Sequence, residues 1–361
     1  MNKKDRITSI DALRGIVLLG ILIVHTAGLF GFASNSYPFF TDVDLNLQKC
    51  IDLLLNGRCN IVFSILFGVS FYLILKNPQF SSEKFAWRCS LLIVCGLLIK
   101  IFYTYDALMW YGLIGIILIA FRYKKPRFLL VSFILFYFLS VLLMKFSLGN
   151  LIFGESHNRY FQEATLCDII NYPINESVKD YLRAVFNGGI FRTLSYFILG
   201  YYFAKSGIIE NLRGISHKYI LYTGCLYFIL FMAPFFMENY HTLFRTVGNL
   251  FGGLFYAHCF LFIYNYLEHK KYMLYLLKGF EAYGKLGLTN YCMQNILGVI
   301  CMTTIFLPYK FQFTSILFYS LLFYFLQMYF SVKWLHYFKY GPFEWCWRCL
   351  TNVKYITNYR F

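Results

Sequence analysis

Three side chains in the first apolar stretch of the chain, Asp11, Arg14 and His25, are of the types that acid-base chemistry requires. At 100° per residue, the step from Arg14 to His25 returns to within about 20° of the same helix face, three turns higher. Asp11 precedes Arg14 by three residues and can pair with it, while His25 lies roughly 16 Å further along the axis. Ionisable groups are expensive in hydrocarbon, so each must face a partner or a wet cavity. One stripe thus carries an ion pair, Asp11 with Arg14, and a deep histidine, a combination that favours a functional site. The plainer reading is a helix-end salt bridge with a histidine bonded to a carbonyl.

A second group of polar residues has the character of a binding site. Asp52, Asn56, Arg58 and Asn60 make the outer third of the second apolar stretch polar, as the wall of an outward-opening cavity would be. Arg58 is placed to hold an anionic or polyhydroxyl group, or to pair with Asp52. Asp106, between the third and fourth stretches, is expected to pair with Lys100 or Arg192, or to be a solvated turn residue. Asn290 and Gln294, four apart on one helix face, are candidate substrate contacts, although amides in membrane helices also serve as interhelical hydrogen bonds. The seven histidines form no i,i+4 pair and no carboxylate-flanked cluster, so no metal site is expected. Cys346 and Cys349 have redox-pair spacing but no second pair and no preceding strand, which favours an amphipathic cytoplasmic helix.

The elements that must position these residues follow from composition. Of 361 residues 59% are hydrophobic and 14% charged, against about 25% charged in an ordinary soluble domain. Apolar stretches run near 10-32, 51-75, 86-103, 107-121, 128-146, 190-206, 219-237, 247-267, 286-307 and 313-335. They lack the strict alternation of barrel strands and approach the roughly 20 residues that a spanning helix needs. The expected fold is all-α, a polytopic integral membrane protein with about ten transmembrane helices. It forms a single membrane-embedded domain over 1-361, with an extracytoplasmic loop at 147-189 and a cytoplasmic C-terminal segment at 336-361. The first stretch is longer than a signal-peptide core and is expected to remain as an uncleaved helix.

With the N-terminus inside and ten crossings, 22 of the 33 Lys and Arg residues fall on the cytoplasmic side, so both termini are expected to be cytoplasmic. The net charge of +16 then reflects topology and anionic headgroups, and no nucleic-acid partner is expected. Expected partners are the lipid bilayer and a small-molecule or glycan acceptor, with a homodimer left open.

The run Arg6-Ile-Thr-Ser-Ile-Asp-Ala-Leu-Arg-Gly15, followed by Leu19-Gly20-Ile21, resembles the N-terminal signature of YeiB-like membrane proteins, the domain of unknown function 418. Gly57-Arg58 leading into Phe63-Ser-Ile-Leu-Phe-Gly68, and Arg88 with Gly96, Asp106 and Tyr111, are similar to the blocks that follow. Tyr283-Gly-Lys-Leu-Gly-Leu-Thr-Asn-Tyr291 with Gln294, then Gln327, Ser331, Trp334 and Tyr340-Gly-Pro-Phe-Glu-Trp-Cys-Trp-Arg348, resemble its C-terminal signature. The family in turn resembles transmembrane acyltransferases, a group that includes heparan-alpha-glucosaminide N-acetyltransferase and the acyltransferase-3 O-acetylases. That resemblance implies transfer of an acyl group, acetyl in the first instance, from cytoplasmic acyl-CoA to a hydroxyl or amine of a sugar-like extracytoplasmic acceptor, in a bacterial cytoplasmic membrane. Acyl-CoA would be a co-substrate, with no tightly bound cofactor. Arg88 and Lys285, near cytoplasmic helix ends, would meet its phosphates, although topology alone also puts cations there. The chain departs from its relatives at His25, where they carry Asn, and at Ile99, where they carry His; any catalytic imidazole therefore rests on His25. The rival class is a transporter or flippase, with the same charges lining a substrate path.

Overall fold

The computed structural model describes residues 8–34, 41–78, 80–100, 106–153, 179, 182–210, 217–235, 237, 241–306, 309, 311–353 and 356–359. Most of these are helical, and the one β-pairing among them is an isolated bridge between Phe338 and Tyr359. The helices are α1 (Thr8–Ser34), α2 (Asp42–Leu54), α3 (Arg58–Leu75), α4 (Ser82–Lys100), α5 (Leu108–Leu118), α6 (Pro126–Phe146), α7 (Leu148–Phe153), α8 (Gly189–Lys205), α9 (His217–Met232), α10 (His241–Leu267), α11 (Leu274–Lys285), α12 (Gly287–Cys301), α13 (Phe313–Tyr337) and α14 (Pro342–Asn352). Each of the ten apolar stretches carries a helix. Among the described residues, five segments are long and apolar enough to cross a membrane: Thr8–Gly28, Asp42–Leu75, Pro126–Phe146, Leu243–Leu267 and Phe313–Tyr337.

Helix α1 is the axis of the bundle. Its apolar side chains pack on α3, α10, α11, α12 and α13, and Leu18 and Ile21 are among the most deeply buried residues of a cluster that continues through α4, α5 and α8. A helix buried on most sides reads apolar all round, which is why its stripe of Asp11, Arg14 and His25 stands out. Helices α6 and α13 lie at the periphery, with most of their apolar side chains facing outward as lipid-facing helices do. The core crossing is that of α3 with α8: Gly68 lies against the backbone of Phe197 and Gly200 against that of Ile65, approaches that a Cβ would block.

Local signals fix the ends of the helices. Thr41 and Asp44 form a reciprocal capping box on α2, and the second oxygen of the buried Asp44 carboxylate accepts from the Thr314 amide at 3.0 Å, joining α2 to the start of α13. Pro126 and Pro342 open α6 and α14, where a missing N–H costs nothing. Two spans are broken. Gly57, at φ +82°, separates α2 from α3, and Leu286 separates α11 from α12. Most of the predicted extracytoplasmic loop, including Glu155, Arg159, Glu163, Asp168, Asn175 and Glu176, lies outside the described residues, as do Lys3, Lys4 and Arg6. Its flanks meet: the Asn187 side chain accepts from the Gly149 amide at 2.8 Å and donates to Asn150 at 2.9 Å.

Candidate active site

His25 lies four turns and more along α1 and opens onto a cavity of about 400 Å³. Helix α10 runs opposite to α1, because the Tyr264 hydroxyl near its C-terminal end hydrogen-bonds the Thr8 hydroxyl at the start of α1. The first turns of α10 therefore lie at the same end of the bundle as His25. Arg245, Thr246 and Asn249 line the cavity from those turns, joined by Asn56 and Gly57 before α3, Asn60 and Ser64 within it, and Arg192 and Thr193 on α8. The positive φ at Gly57 lets the chain turn there, and a Cβ would stand 2.8 Å from the Asn249 amide nitrogen. Two arginines and many amides and hydroxyls surround the space, and no carboxylate lines it among the described residues.

The imidazole is positioned by α12. Nδ1 of His25 is 3.0 Å from Oδ1 of Asn295, and the ring meets Tyr291 edge-on, with centroids 6.3 Å apart. An amide oxygen can only accept, so this contact puts the proton on Nδ1 and the lone pair on Nε2. Tyr291 and Asn295 are four apart and share one face of α12. The Asn295 side-chain nitrogen is buried with no hydrogen-bond partner. Tyr291 in turn donates to Asp106 at 2.8 Å, and the other Asp106 oxygen accepts from the Leu108 amide at 2.8 Å. Of the expected partners, Lys100 acts on Asp106 through its charge, while the hydrogen bonds of Asp106 go elsewhere and none goes to Arg192. A buried acid takes whichever donors the packing delivers, and here they are a phenol from α12 and the first amide of α5. Asp106 lies in the connection between α4 and α5, outside the spans, and burial raises its pKa to about 6 against the pull of those two donors.

The remaining candidates are dispersed. Arg192 lines the cavity, its guanidinium against the Met144 sulfur at 3.3 Å. Arg58 points away from it and is not paired with Asp52, which instead accepts from Asn56 at 3.1 Å. Asn290 and Gln294 do not reach the cavity. Asn290 donates to the Tyr283 carbonyl at 3.1 Å and to Ser331 at 3.0 Å, and Gln294 donates to the Tyr283 hydroxyl, which itself donates to Gln327 at 2.8 Å. These amides tie α12 to α11 and α13. Asp11 and Arg14 form the expected ion pair at 2.9 Å, and a second Arg14 nitrogen donates to Ser70 at 3.0 Å, but both lie toward the opposite end of α1 from His25.

At that other end, the Arg88 guanidinium stacks on Trp347, 3.8 Å from the ring centroid, and Trp347 donates to the Arg88 carbonyl at 3.1 Å. Lys285 is 3.6 Å from Glu281, which accepts from Tyr264 at 2.9 Å. The i,i+4 spacing of Glu344 and Arg348 is not used as a pair. Glu344 accepts from the Leu288 and Thr289 amides, and Arg348 lies over Tyr340 at 4.2 Å. An uncapped helix start supplies two aligned N–H groups to a carboxylate, which a solvated arginine cannot match.

Sequence reasoning missed Asn295, Arg245, Asn249 and the role of Tyr291. Asn295 was legible in part: it adjoins Gln294 and repeats Tyr291 after one turn. Arg245 and Asn249 carried no local signal, because only the antiparallel course of α10 brings its first turns to His25.

Comparisons with known proteins agree with this architecture. Residues 6–183 match the heparan-alpha-glucosaminide N-acetyltransferase catalytic family, and residues 205–354 match the protein family of unknown function DUF418. The chain is 26% identical to an uncharacterised 39.9 kDa protein encoded in the amylase 3' region of Bacillus acidopullulyticus, covering 97% of this chain and 95% of the relative. It is 25% identical to the uncharacterised protein YxaH of Bacillus subtilis, with coverages of 97% and 95%. It is 23% identical to the uncharacterised protein YeiB of Escherichia coli, covering 96% of each. No solved structure matches the chain significantly. With residues 6–183 matching an acyltransferase catalytic family, residues 205–354 matching DUF418, and relatives that run nearly its full length, these findings support a YeiB-like DUF418 family related to the transmembrane acyltransferases.

Proposed function

We propose that the protein is a membrane acyltransferase that moves an acyl group, acetyl in the first instance, from cytoplasmic acyl-CoA to a hydroxyl or amine of an acceptor held in the His25 cavity. The observation that carries this reading is His25 itself: an imidazole oriented through Nδ1 by Asn295, at the wall of a polar, cationic space sized for a small sugar-like molecule. In the reaction, Nε2 takes the proton of the acceptor hydroxyl as its oxygen attacks the thioester carbonyl carbon. The C–S bond then breaks, and the CoA thiolate leaves with the proton returned by the imidazolium. Arg192 and Arg245 favour an acceptor that carries negative charge as well as hydroxyls.

In this reading the chain crosses a bacterial cytoplasmic membrane ten times, with both termini inside, and the acyl end of CoA enters past Arg14 while Arg88 and Lys285 hold its phosphates. The test supplies labelled acetyl-CoA to the cytoplasmic face of sealed vesicles. Label is expected in a non-protein product on the opposite side, and its absence with intact protein and a range of sugar acceptors overturns the reading. The broken α11–α12 span favours a second reading, a transporter, since such breaks mark substrate sites in many carriers. Movement of an acceptor across the vesicle membrane without acyl-CoA would establish it.

A further inference from the structure

The cavity at His25 has a cationic pole. Arg192 and Tyr196 are four apart on α8 and line the cavity from one face of that helix, and Arg245 lines it from the first turns of α10. Three helices meet here. The Arg192 guanidinium, at 3.3 Å, and the Thr246 hydroxyl, at 4.0 Å, both contact the Met144 sulfur of α6, and Tyr137 of α6 donates to the Thr246 carbonyl at 3.2 Å. The donors at this pole are largely unspent. Among the described residues, the acceptor for the Arg192 guanidinium is that thioether, a weak one. Arg245 is exposed at the cavity and has no hydrogen bond or ion pair among the described residues. Tyr196 is only 5% exposed, yet its hydroxyl has no hydrogen-bond partner among the described residues.

Position sharpens the imbalance. Arg192 stands in the first turn of α8 and Arg245 just beyond the first turn of α10, helix ends whose dipoles already favour negative charge. No carboxylate among the described residues lines the cavity to offset them. A carboxylate ligand has two oxygens and is satisfied by one guanidinium fork, whereas a phosphate ester has more oxygens and up to two charges, enough for two guanidinia and a phenol together. We propose that Arg192, Tyr196 and Arg245 form a phosphate subsite, and that the molecule held in the His25 cavity is the phosphate ester of a polyol. The subsite deepens the acyl-transfer reading and rests on it only in calling that ligand the acceptor.

The test titrates the full-length protein in detergent, without acyl-CoA, and reads binding by calorimetry. The probes are inorganic phosphate, glucose 6-phosphate, glycerol 3-phosphate, glucose, glucuronate and phosphatidylglycerol. Glucose 6-phosphate is expected to bind at least about tenfold more tightly than glucose or glucuronate, with inorganic phosphate competing, and Arg245→Gln to remove that advantage. Tyr196→Phe is expected to weaken the ester by about tenfold. Because its hydroxyl bonds nothing in the protein, ligand-free Tyr196→Phe should melt with the parent, which covers the case in which an arginine variant fails to fold. Tighter binding of phosphatidylglycerol than of glycerol 3-phosphate, lost in Arg245→Gln, would assign the ester to a lipid headgroup, and the reverse order to a soluble molecule. Failure of inorganic phosphate to bind, no gain of glucose 6-phosphate over glucose, equal binding of glucuronate, or undiminished binding in both Arg245→Gln and Tyr196→Phe would each overturn the proposal. Acyl transfer to a neutral sugar without phosphate binding would remove the subsite and leave the transfer reading standing; phosphate binding without transfer would do the converse.

Discussion

Glu344, near the C-terminus, closes the N-terminal end of α12: its Oε1 accepts from the Leu288 and Thr289 amides at 2.8 and 3.0 Å, and its Oε2 accepts from the Thr289 hydroxyl. Thr289 returns the contact by accepting from the Phe343 amide at 3.1 Å, so α12 and α14 cap each other. The carboxylate thus does for α12 what a local cap residue does elsewhere, from more than fifty residues away.

Glu344→Gln keeps the shape but weakens two charge-assisted bonds, and is expected to cost about 1 to 2 kcal/mol of stability. Glu344→Ala should cost more. Thermal unfolding in detergent measures this, together with transfer per folded molecule, which is expected to change little. Lost turnover at unchanged stability would place Glu344 in the chemistry instead.

His25 separates a base from a hydrogen-bonding spacer. If its Nε2 takes a proton, His25→Asn keeps the contact with Asn295 yet loses roughly a hundredfold or more in transfer rate. Binding of acyl-CoA should be retained. Near-full activity in His25→Asn, with damage only in His25→Ala, would remove the imidazole from catalysis.

Asp106 gives a pH signature. Burial raises its pKa from 3.8 to about 6, so the folded protein holds the proton more tightly than the unfolded chain. Its contribution to stability is full below about pH 4 and is lost as the pH rises through about 6, an effect on the order of 2 kcal/mol. The melting temperature of the parent is therefore expected to fall across that window relative to Asp106→Asn. A difference that stays flat with pH would show an ordinary, unperturbed carboxyl.

Topology is tested by labelling. On a cysteine-free background, single cysteines in place of Lys124 and Thr165 are expected to react with an impermeant reagent from opposite sides of the membrane. Reaction of both from one side would exclude ten crossings.

What the sequence made legible was whatever depended on spacing along a single helix. The Asp11–Arg14 pair follows from a three-residue step, and the composition and run lengths carry the all-α class. The rest depended on partners distant in the chain. His25 meets Asn295 and Asp106 meets Tyr291, contacts fixed by the packing of α12 against α1 and α5 and invisible to a local period. The pairs offered by proximity, Asp106 with Lys100 and Glu344 with Arg348, lost to donors that were already oriented and dry. Arg58 was read as part of the wall of the outward cavity, but its side chain lies on the other side of its own helix, since one residue is 100° of rotation and Gly57 resets the phase.

The mutual cap between α14 and α12 has a mechanical meaning. Asn295 lies six residues beyond Thr289, roughly 9 Å along the same rigid rod, so the clasp and the imidazole's orienting amide share one piece of backbone. Trp347, on that clasp, is the face on which Arg88 rests. Cutting the chain before Glu344 would therefore do more than shorten a tail: it would unpin the strut that sets the angle of His25, and a tag or fusion that displaces α14 would be felt at the opposite end of the bundle.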